Sequence, residues 1–384
     1  MIPAARAALD LSFTATSLAL AWADGAHGEF ASIWLRDNRD SDRDPVSGQR
    51  LVDVADLPAD PRIAGAVVDG DAIVVEWAGE EGATRFPLRW LREHAQGADW
   101  LPPELRVRTW LEGAQLDARR DFAWADSARL ASDDRVRFDW MTRLVQDGIA
   151  FLRGVPTTEH AILAAVAPLG FVIDTNYGRV FDVRSVPQPE NLAYSDLGLG
   201  LHTDNPYRDP VPGFQALHCL IASREGGENL LADGFALAEH LRATESAVFR
   251  VLTHTPVPFR YRSRDAELFS EKPLIQLSGR GEIRAVHYNN RSVAPLRLDA
   301  EGIRGFYAAY RRFARLLREP QFQARMRLED GDLMVFDNRR VLHGRTAFSS
   351  ARYARHLQGC YLSRDSVLSQ TGVLRRRLQP EASA

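Results

Sequence analysis

The chain has 384 residues, 45% of them hydrophobic and 26% charged, a composition that fits a soluble folded protein and excludes wholesale disorder. Its 48 Lys and Arg against 51 Asp and Glu leave a formal net charge of -3, which offers nothing to a phosphate backbone, so nucleic acid is not an expected partner. Only Cys219 and Cys360 are present, too few for a disulfide framework or a structural zinc site and suited to a reducing compartment.

The length predicts one large unit with a smaller module attached. The opening "MIPAARAALDLSFTATSLALAWADG" is interrupted by Asp10, and its alternation suits a strand better than a signal peptide. No apolar run approaches the ~20 residues of a membrane helix, so no membrane partner is expected and a cytoplasmic location is.

In chain order, "LALAWADG", "EFASIWLRD" and "AIVVEWAG" are β-like stretches between Gly and Asp turns, predicting a small β-rich domain over residues 1–97. Residues 98–130 carry Pro and Trp without a clear period and are expected to be a linker packed on its neighbours. From 131 to 384 the pattern changes. "DDRVRFDWMTRLVQDGIAFLRGVP" predicts an amphipathic helix running into a strand, because apolar residues recur at three to four and then alternate. Strands follow at "GFQALHCLI", "ENLLADG", "DLMVFDN" and "HLQGCYL", with helices at "FALAEHLRATESAVFRVL" and "GIRGFYAAYRRFARLLRE". The expected fold is α+β and mainly β, a β-core with peripheral helices. No internal repeat is expected.

The chemistry-bearing stretch is "LGLHTDNPYRDPVPGFQALHC". His202 and Asp204 stand two apart, and side chains at that spacing point the same way from a strand. Alone the pair is equally readable as a capped loop in which Asp204 accepts backbone N–H bonds. A facial triad needs one more imidazole, and His218, His287, His343 and His356 follow. His343 ends an apolar strand in "VFDNRRVLHGRTAF", so His202, Asp204 and His343 form the best two-His, one-carboxylate set, which leaves positions open on Fe(II). A dicarboxylate co-substrate also needs a cation with a planar fork. Arg355 is placed for it on the next strand, with Arg345 and Arg352 as competitors. Neither a G-x-S-x-G elbow nor an H-E-x-x-H signature is present, which removes the commonest hydrolase readings.

"WLRDN", "NYGRVFDV", "NLAYSD", "LHTDNP", "PGFQALHC", "ADGFALAEHL", "FDNRRVLHGR" and "RHLQGCYLSRD" resemble, in order, the γ-butyrobetaine and trimethyllysine hydroxylase family of Fe(II)/2-oxoglutarate oxygenases. The resemblance implies a double-stranded β-helix (jelly-roll) core, a small N-terminal domain and a homodimer. It implies His202, Asp204 and His343 as iron ligands, Arg355 as anchor of the distal 2-oxoglutarate carboxylate, and O2 as the second co-substrate. Oxidative decarboxylation to succinate and carbon dioxide would be coupled to hydroxylation of an unactivated C–H bond. It further implies an aromatic cage for a small quaternary ammonium substrate, at Tyr177, Phe181, Tyr194 and Tyr361, with Asn191 and Asn290 toward the anionic end.

Three residues depart from the butyrobetaine pattern. Asn205, Tyr207 and Arg291 add donors and a positive charge at the anion end, which suits the three oxygens of a phosphonate. The favoured expectation is therefore hydroxylation of 2-(trimethylammonio)ethylphosphonate to its 1-hydroxy product, with γ-butyrobetaine hydroxylation to L-carnitine as the alternative and a non-catalytic quaternary-ammonium binding module behind both. The N-terminal zinc site of some relatives is not expected, because Arg39, Ser41 and Asp44 stand where thiolates would be needed and only His94 remains.

Overall fold

The structure is a computed structural model that describes residues 9–96, 105–110, 116–184, 197–348 and 355–378. The chain divides into two compact units, Met1–Pro102 and Pro103–Ala384. No helix among the described residues is long and apolar enough to cross a membrane.

The first unit contains strands β1 (Leu9–Phe13), β2 (Ser17–Trp22) and β3 (His27–Ala31), helix α1 (Ser32–Asp37), strands β4 (Ile63–Asp69), β5 (Ala72–Trp77) and β6 (Ala83–Pro87), and helix α2 (Leu88–Glu93). Each triplet is an antiparallel meander that runs straight into its helix. The unit thus repeats one β-β-β-α motif, contrary to the expectation of no repeat. Trp22 matches Trp77, Phe30 matches Phe86, Trp34 matches Trp90 and Leu35 matches Leu91. The matched indoles Trp34 and Trp90 stack at 5.1 Å, and Leu35 and Leu91 are both fully buried. The matched identities are few and scattered, so the repeat is plainer in the two β-β-β-α motifs than in the sequence. Arg39 pairs with Asp42 and Glu80, Asp44 accepts bonds from Val46 and Ser47, and His94 Nδ1 lies 2.8 Å from the Trp90 carbonyl.

The second unit contains helices α3 (Ala118–Asp121), α4 (Ser127–Ser132), α5 (Asp134–Asp147), α6 (Ala161–Val166), α7 (Gly234–Thr244), α8 (Ser246–His254), α9 (Ala300–Leu316) and α10 (Arg364–Leu378). Its strands are β7 (Ala123–Asp126), β8 (Ile149–Arg153), β9 (Val172–Ile173), β10 (Phe181–Arg184), β11 (Leu199–His202), β12 (Phe214–Ile221) and β13 (Asn229–Asp233). They continue with β14 (Val257–Arg262), β15 (Glu267–Lys272), β16 (Ile275–Leu277), β17 (Ile283–Val286), β18 (Ala324–Met326), β19 (Leu333–Asp337), β20 (Val341–Arg345) and β21 (His356–Leu362).

The larger sheet runs β10-β21-β12-β19-β8-β7, with β9 also on β21, and the smaller runs β11-β20-β13-β18. Together they make a double-stranded β-helix, as expected. Strands β12 and β19 are almost continuously buried, because α5 and α10 cover one face of the large sheet while its other face lines the interior. Helix α5 is well delimited: the Asp133 side chain accepts from Arg135 and Val136 N–H at its start, and Gly148 ends it with φ 74. The single helix expected over "FALAEHLRATESAVFRVL" is broken at Glu245 into α7 and α8.

The expected linker 98–130 is corrected over its described part. Strand β7 pairs in parallel with β8, Trp124 stacks on Phe151 at 4.6 Å, and the Trp110 indole donates to the Asp147 carbonyl at 2.7 Å. These residues belong to the second unit through side-chain burial that leaves no period in the sequence. Nearby, the buried Arg340 donates to Asp233 through Nε and Nη2 at 3.0 and 2.7 Å, while the same carboxylate caps α7.

Candidate active site

A cavity of about 420 Å³ opens between the two sheets of the second unit. Strand β11 lies antiparallel to β20 and sets His202 directly opposite His343, with ring centroids 4.4 Å apart. Gly344 permits this approach, since a Cβ there would stand 2.4 Å from the Leu199 carbonyl oxygen. Just past β11, Asn338 clamps the chain: its Oδ1 accepts from Asp204 N–H at 2.7 Å and its Nδ2 donates to the Asp204 carbonyl at 3.0 Å. Asp204 is thereby turned toward both imidazoles, 3.3 Å from His202 Nε2 and 3.8 Å from His343 Nε2.

The ligand-capable atoms of these three residues lie within 4.8 Å of one another. Burial works against a charge on Asp204, yet the His202 hydrogen bond, the neighbouring His343 and the Tyr361 hydroxyl hold its carboxyl well below the usual carboxylate range. Burial, with help from His202 and Arg291, pushes His343 down to about 3, so its ring is neutral and its lone pair available. His202 Nδ1 donates to the Gly200 carbonyl at 2.9 Å, which orients the ring so that Nε2 points to the shared centre. Two imidazoles and one carboxylate on a shared centre fit a divalent iron with open positions. The other histidines are elsewhere: His287 bonds Gln276, His356 pairs with Asp182 at 2.7 Å, and neither these nor His218 lines the cavity.

Toward one end, Arg345 and Arg355 are both buried and both reach the cavity. Arg345 shares the inward face of β20 with His343, two residues away. Arg355 donates to Asn229 Oδ1 at 3.4 Å and lies 5.8 Å from the Phe348 ring centre; burial and then Arg345 push it down to about 10, which leaves it charged at neutral pH. Gly227, with φ 64, keeps clear the space that the Arg355 stem fills. Arg352 lies outside the described residues.

Toward the other end the wall is aromatic. Tyr177, Phe181 and Tyr361 all line the cavity, with Phe181 5.2 Å from Tyr361 and 6.4 Å from Tyr177. Tyr194 and Asn191 lie outside the described residues. Asn205 is buried in the left-handed region at φ 53; its Oδ1 accepts from the Tyr207 hydroxyl at 2.6 Å, and its Nδ2 has no partner among the described residues. Tyr207 OH is also 2.9 Å from Tyr177 OH. Arg291 lines the cavity with solvent access and makes no ion pair among the described residues.

Asn290 is not brought to the site. It is exposed and accepts from the Tyr310 hydroxyl at 3.2 Å, whereas its neighbour Asn289 lines the cavity and donates to the Thr203 carbonyl at 3.0 Å. Adjacent side chains in a turn diverge, so an error of one residue reverses the assignment. Gln215, Asn229 and Tyr261 also line the cavity without having been expected there. Gln215 lies opposite Tyr361 on β12 and two residues from the inward Leu217, so the alternation of that strand could have found it.

The sequence profile described as "Taurine catabolism dioxygenase TauD, TfdA family" matches residues 113–361. A γ-butyrobetaine dioxygenase from Pseudomonas sp. (strain AK-1) is 38% identical over 370 residues, covering 94% of each chain. The human γ-butyrobetaine dioxygenase is 27% identical over 93% of this chain and 94% of its own. A trimethyllysine dioxygenase from Meyerozyma guilliermondii is 26% identical over 97% of both. With a His–Asp–His cluster in the interior of a double-stranded β-helix, the chain belongs to the TauD, TfdA family, in its γ-butyrobetaine and trimethyllysine dioxygenase group, and is an Fe(II)/2-oxoglutarate-dependent dioxygenase.

Proposed function

We propose that the enzyme hydroxylates a small substrate carrying a trimethylammonium group at one end and an anionic group at the other. γ-Butyrobetaine is the first candidate, because it is the compound in the names of two of the relatives. The observation that carries this reading is one cavity lined by the His–Asp–His cluster, by the aromatic rings of Tyr177, Phe181 and Tyr361, and by the two buried arginines Arg345 and Arg355.

His202, Asp204 and His343 would hold the iron. Bound there with 2-oxoglutarate and dioxygen, iron supplies the oxidising power to replace an unactivated C–H bond with C–OH. Arg355 binds the distal carboxylate of 2-oxoglutarate, and its burial strengthens that charge-assisted contact. Tyr177, Phe181 and Tyr361 present ring faces to the trimethylammonium group, each contact contributing roughly 0.5–2 kcal/mol. Asn205 Nδ2 and the Arg291 guanidinium, both without protein partners among the described residues, receive the anionic end.

That last pair supports a second reading, 2-(trimethylammonio)ethylphosphonate, since a phosphonate has more acceptor oxygens than a carboxylate to occupy free donors. The test is direct. Enzyme loaded anaerobically with Fe(II) and 2-oxoglutarate is exposed to oxygen with γ-butyrobetaine, trimethyllysine or the phosphonate, and products are identified by mass spectrometry. Preferred hydroxylation of γ-butyrobetaine removes the phosphonate reading, and turnover of none of the three removes the trimethylammonium reading.

A further inference from the structure

Part of the cavity wall comes from outside both sheets of the jelly roll. Strands β14 and β15 form a two-stranded sheet of their own, bridged at Phe259 to Val293. The hairpin is fastened through Arg260 N–H to the Ser292 carbonyl and Ala294 N–H to the Pro258 carbonyl, both 2.8 Å, with Phe259 fully buried beneath it. Tyr261, half-buried on β14, faces the cavity.

Its ring stacks on Tyr207 at 5.1 Å with planes 23° apart, and meets Tyr177 at 5.8 Å and 63°. Tyr177 in turn approaches Phe181, so the aromatic surface beside the candidate metal centre continues onto the hairpin. The flanking Arg260 and Arg262 would oppose a cationic ligand if they were free. Both pair with the single carboxylate of Glu267 on the partner strand, which offsets one of their two charges and draws both guanidinium groups toward it.

We infer that Tyr261 is a specificity-determining residue, a wall of the quaternary-ammonium chamber delivered by the β14–β15 hairpin. The inference rests on the trimethylammonium reading of the substrate. A ring face attracts a cation through its quadrupole, whereas a neutral group of the same shape gains only apolar contact. Tyr261 should therefore favour the charged ligand over its carbon isostere.

The experiment is calorimetric binding to the full chain holding Mn(II) and 2-oxoglutarate, comparing γ-butyrobetaine with its neutral-headed isostere 5,5-dimethylhexanoate. Tyr261→Leu should weaken γ-butyrobetaine by about 3- to 30-fold and leave the isostere within about twofold, and Tyr261→Phe should restore the wild-type preference. Tyr261→Gln, suited to a half-buried site, carries the same test should the leucine variant fail to fold. Equal losses for both ligands, or no loss for either while the wild type binds γ-butyrobetaine, overturn the role of Tyr261 alone. A wild type that binds no quaternary ammonium ligand overturns the substrate reading together with it.

Discussion

The Tyr361 hydroxyl donates to Oδ2 of Asp204 at 2.8 Å, so one side chain is both a wall of the aromatic chamber and a partner of the candidate iron ligand. The bond satisfies one carboxylate oxygen and restrains its rotation, leaving Oδ1 toward His202. Tyr361→Phe keeps the ring and removes that restraint. Metal affinity, read by Mn(II) or Co(II) titration, should fall by about 10- to 100-fold, the usual effect of losing such a supporting contact. An unchanged affinity would show that Asp204 is held by the Asn338 clamp alone.

Arg355 gives a prediction that separates co-substrate from substrate. Arg355→Gln should raise the KM for 2-oxoglutarate by about 10- to 150-fold, the range expected for a lost charged hydrogen bond. A 2-oxo acid without the distal carboxylate should be used equally by both forms. If Arg345 is the true anchor, the same contrast will follow Arg345→Gln instead.

The metal cluster was legible because its parts have local signatures: His202 and Asp204 two apart, and His343 at the end of an apolar strand that could return beside them. The antiparallel register sets the two histidines opposite each other. Asn290 was misassigned for want of the turn geometry that directs Asn289 inward instead. Tyr261 had no signature at all, since its position depends on how a hairpin packs over loops remote in sequence. The repeat of the first unit is faint in sequence because only a few identities, such as Trp34 with Trp90 and Leu35 with Leu91, carry it between longer unmatched stretches.

His287 should make the apoprotein sensitive to acid. Burial, then Lys272 and Arg339, push its folded-state value from 6.5 down to about 3. As pH falls below about 6.5 the unfolded chain gains a proton that the folded chain refuses, so stability is complete above that value and declines toward pH 3. The slope from this residue is about 1.4 kcal/mol per pH unit. His287→Gln, which can keep the contact to Gln276, should flatten denaturant-measured stability between about pH 6 and pH 4 by that amount. An unaltered slope would mean that His287 protonates alike in both states.

The buried Arg340–Asp233 pair should matter to stability and not to chemistry. Arg340 also donates to the Gln146 and Arg108 carbonyls, and Asp233 accepts from Trp110 N–H, so the pair ties two segments, α5 and residues 105–110, to the jelly roll. Removing one partner leaves the other charged and buried. Arg340→Ala should cost about 3–5 kcal/mol in urea unfolding, with kcat per folded molecule little altered. A loss below about 1 kcal/mol would show that water replaces the guanidinium.

Arg291 bears on which anion the enzyme accepts. Burial lowers its guanidinium from the ordinary arginine value while Asp204, Tyr207 and Tyr177 pull the other way, which places the charge within reach of the cavity. Among the described residues no carboxylate forms an ion pair with it, and it lines the cavity, so its charge is available to a ligand. Arg291→Gln should raise KM for the true substrate by about tenfold and spare an analogue with a neutral amide at that end. Because the residue is solvent-accessible, the wild-type advantage should shrink as salt is raised from 0.01 to about 1 M. A larger loss with the phosphonate than with γ-butyrobetaine would assign Arg291 to phosphonate selection. Identical losses with the anionic and neutral forms would place its guanidinium in solvent.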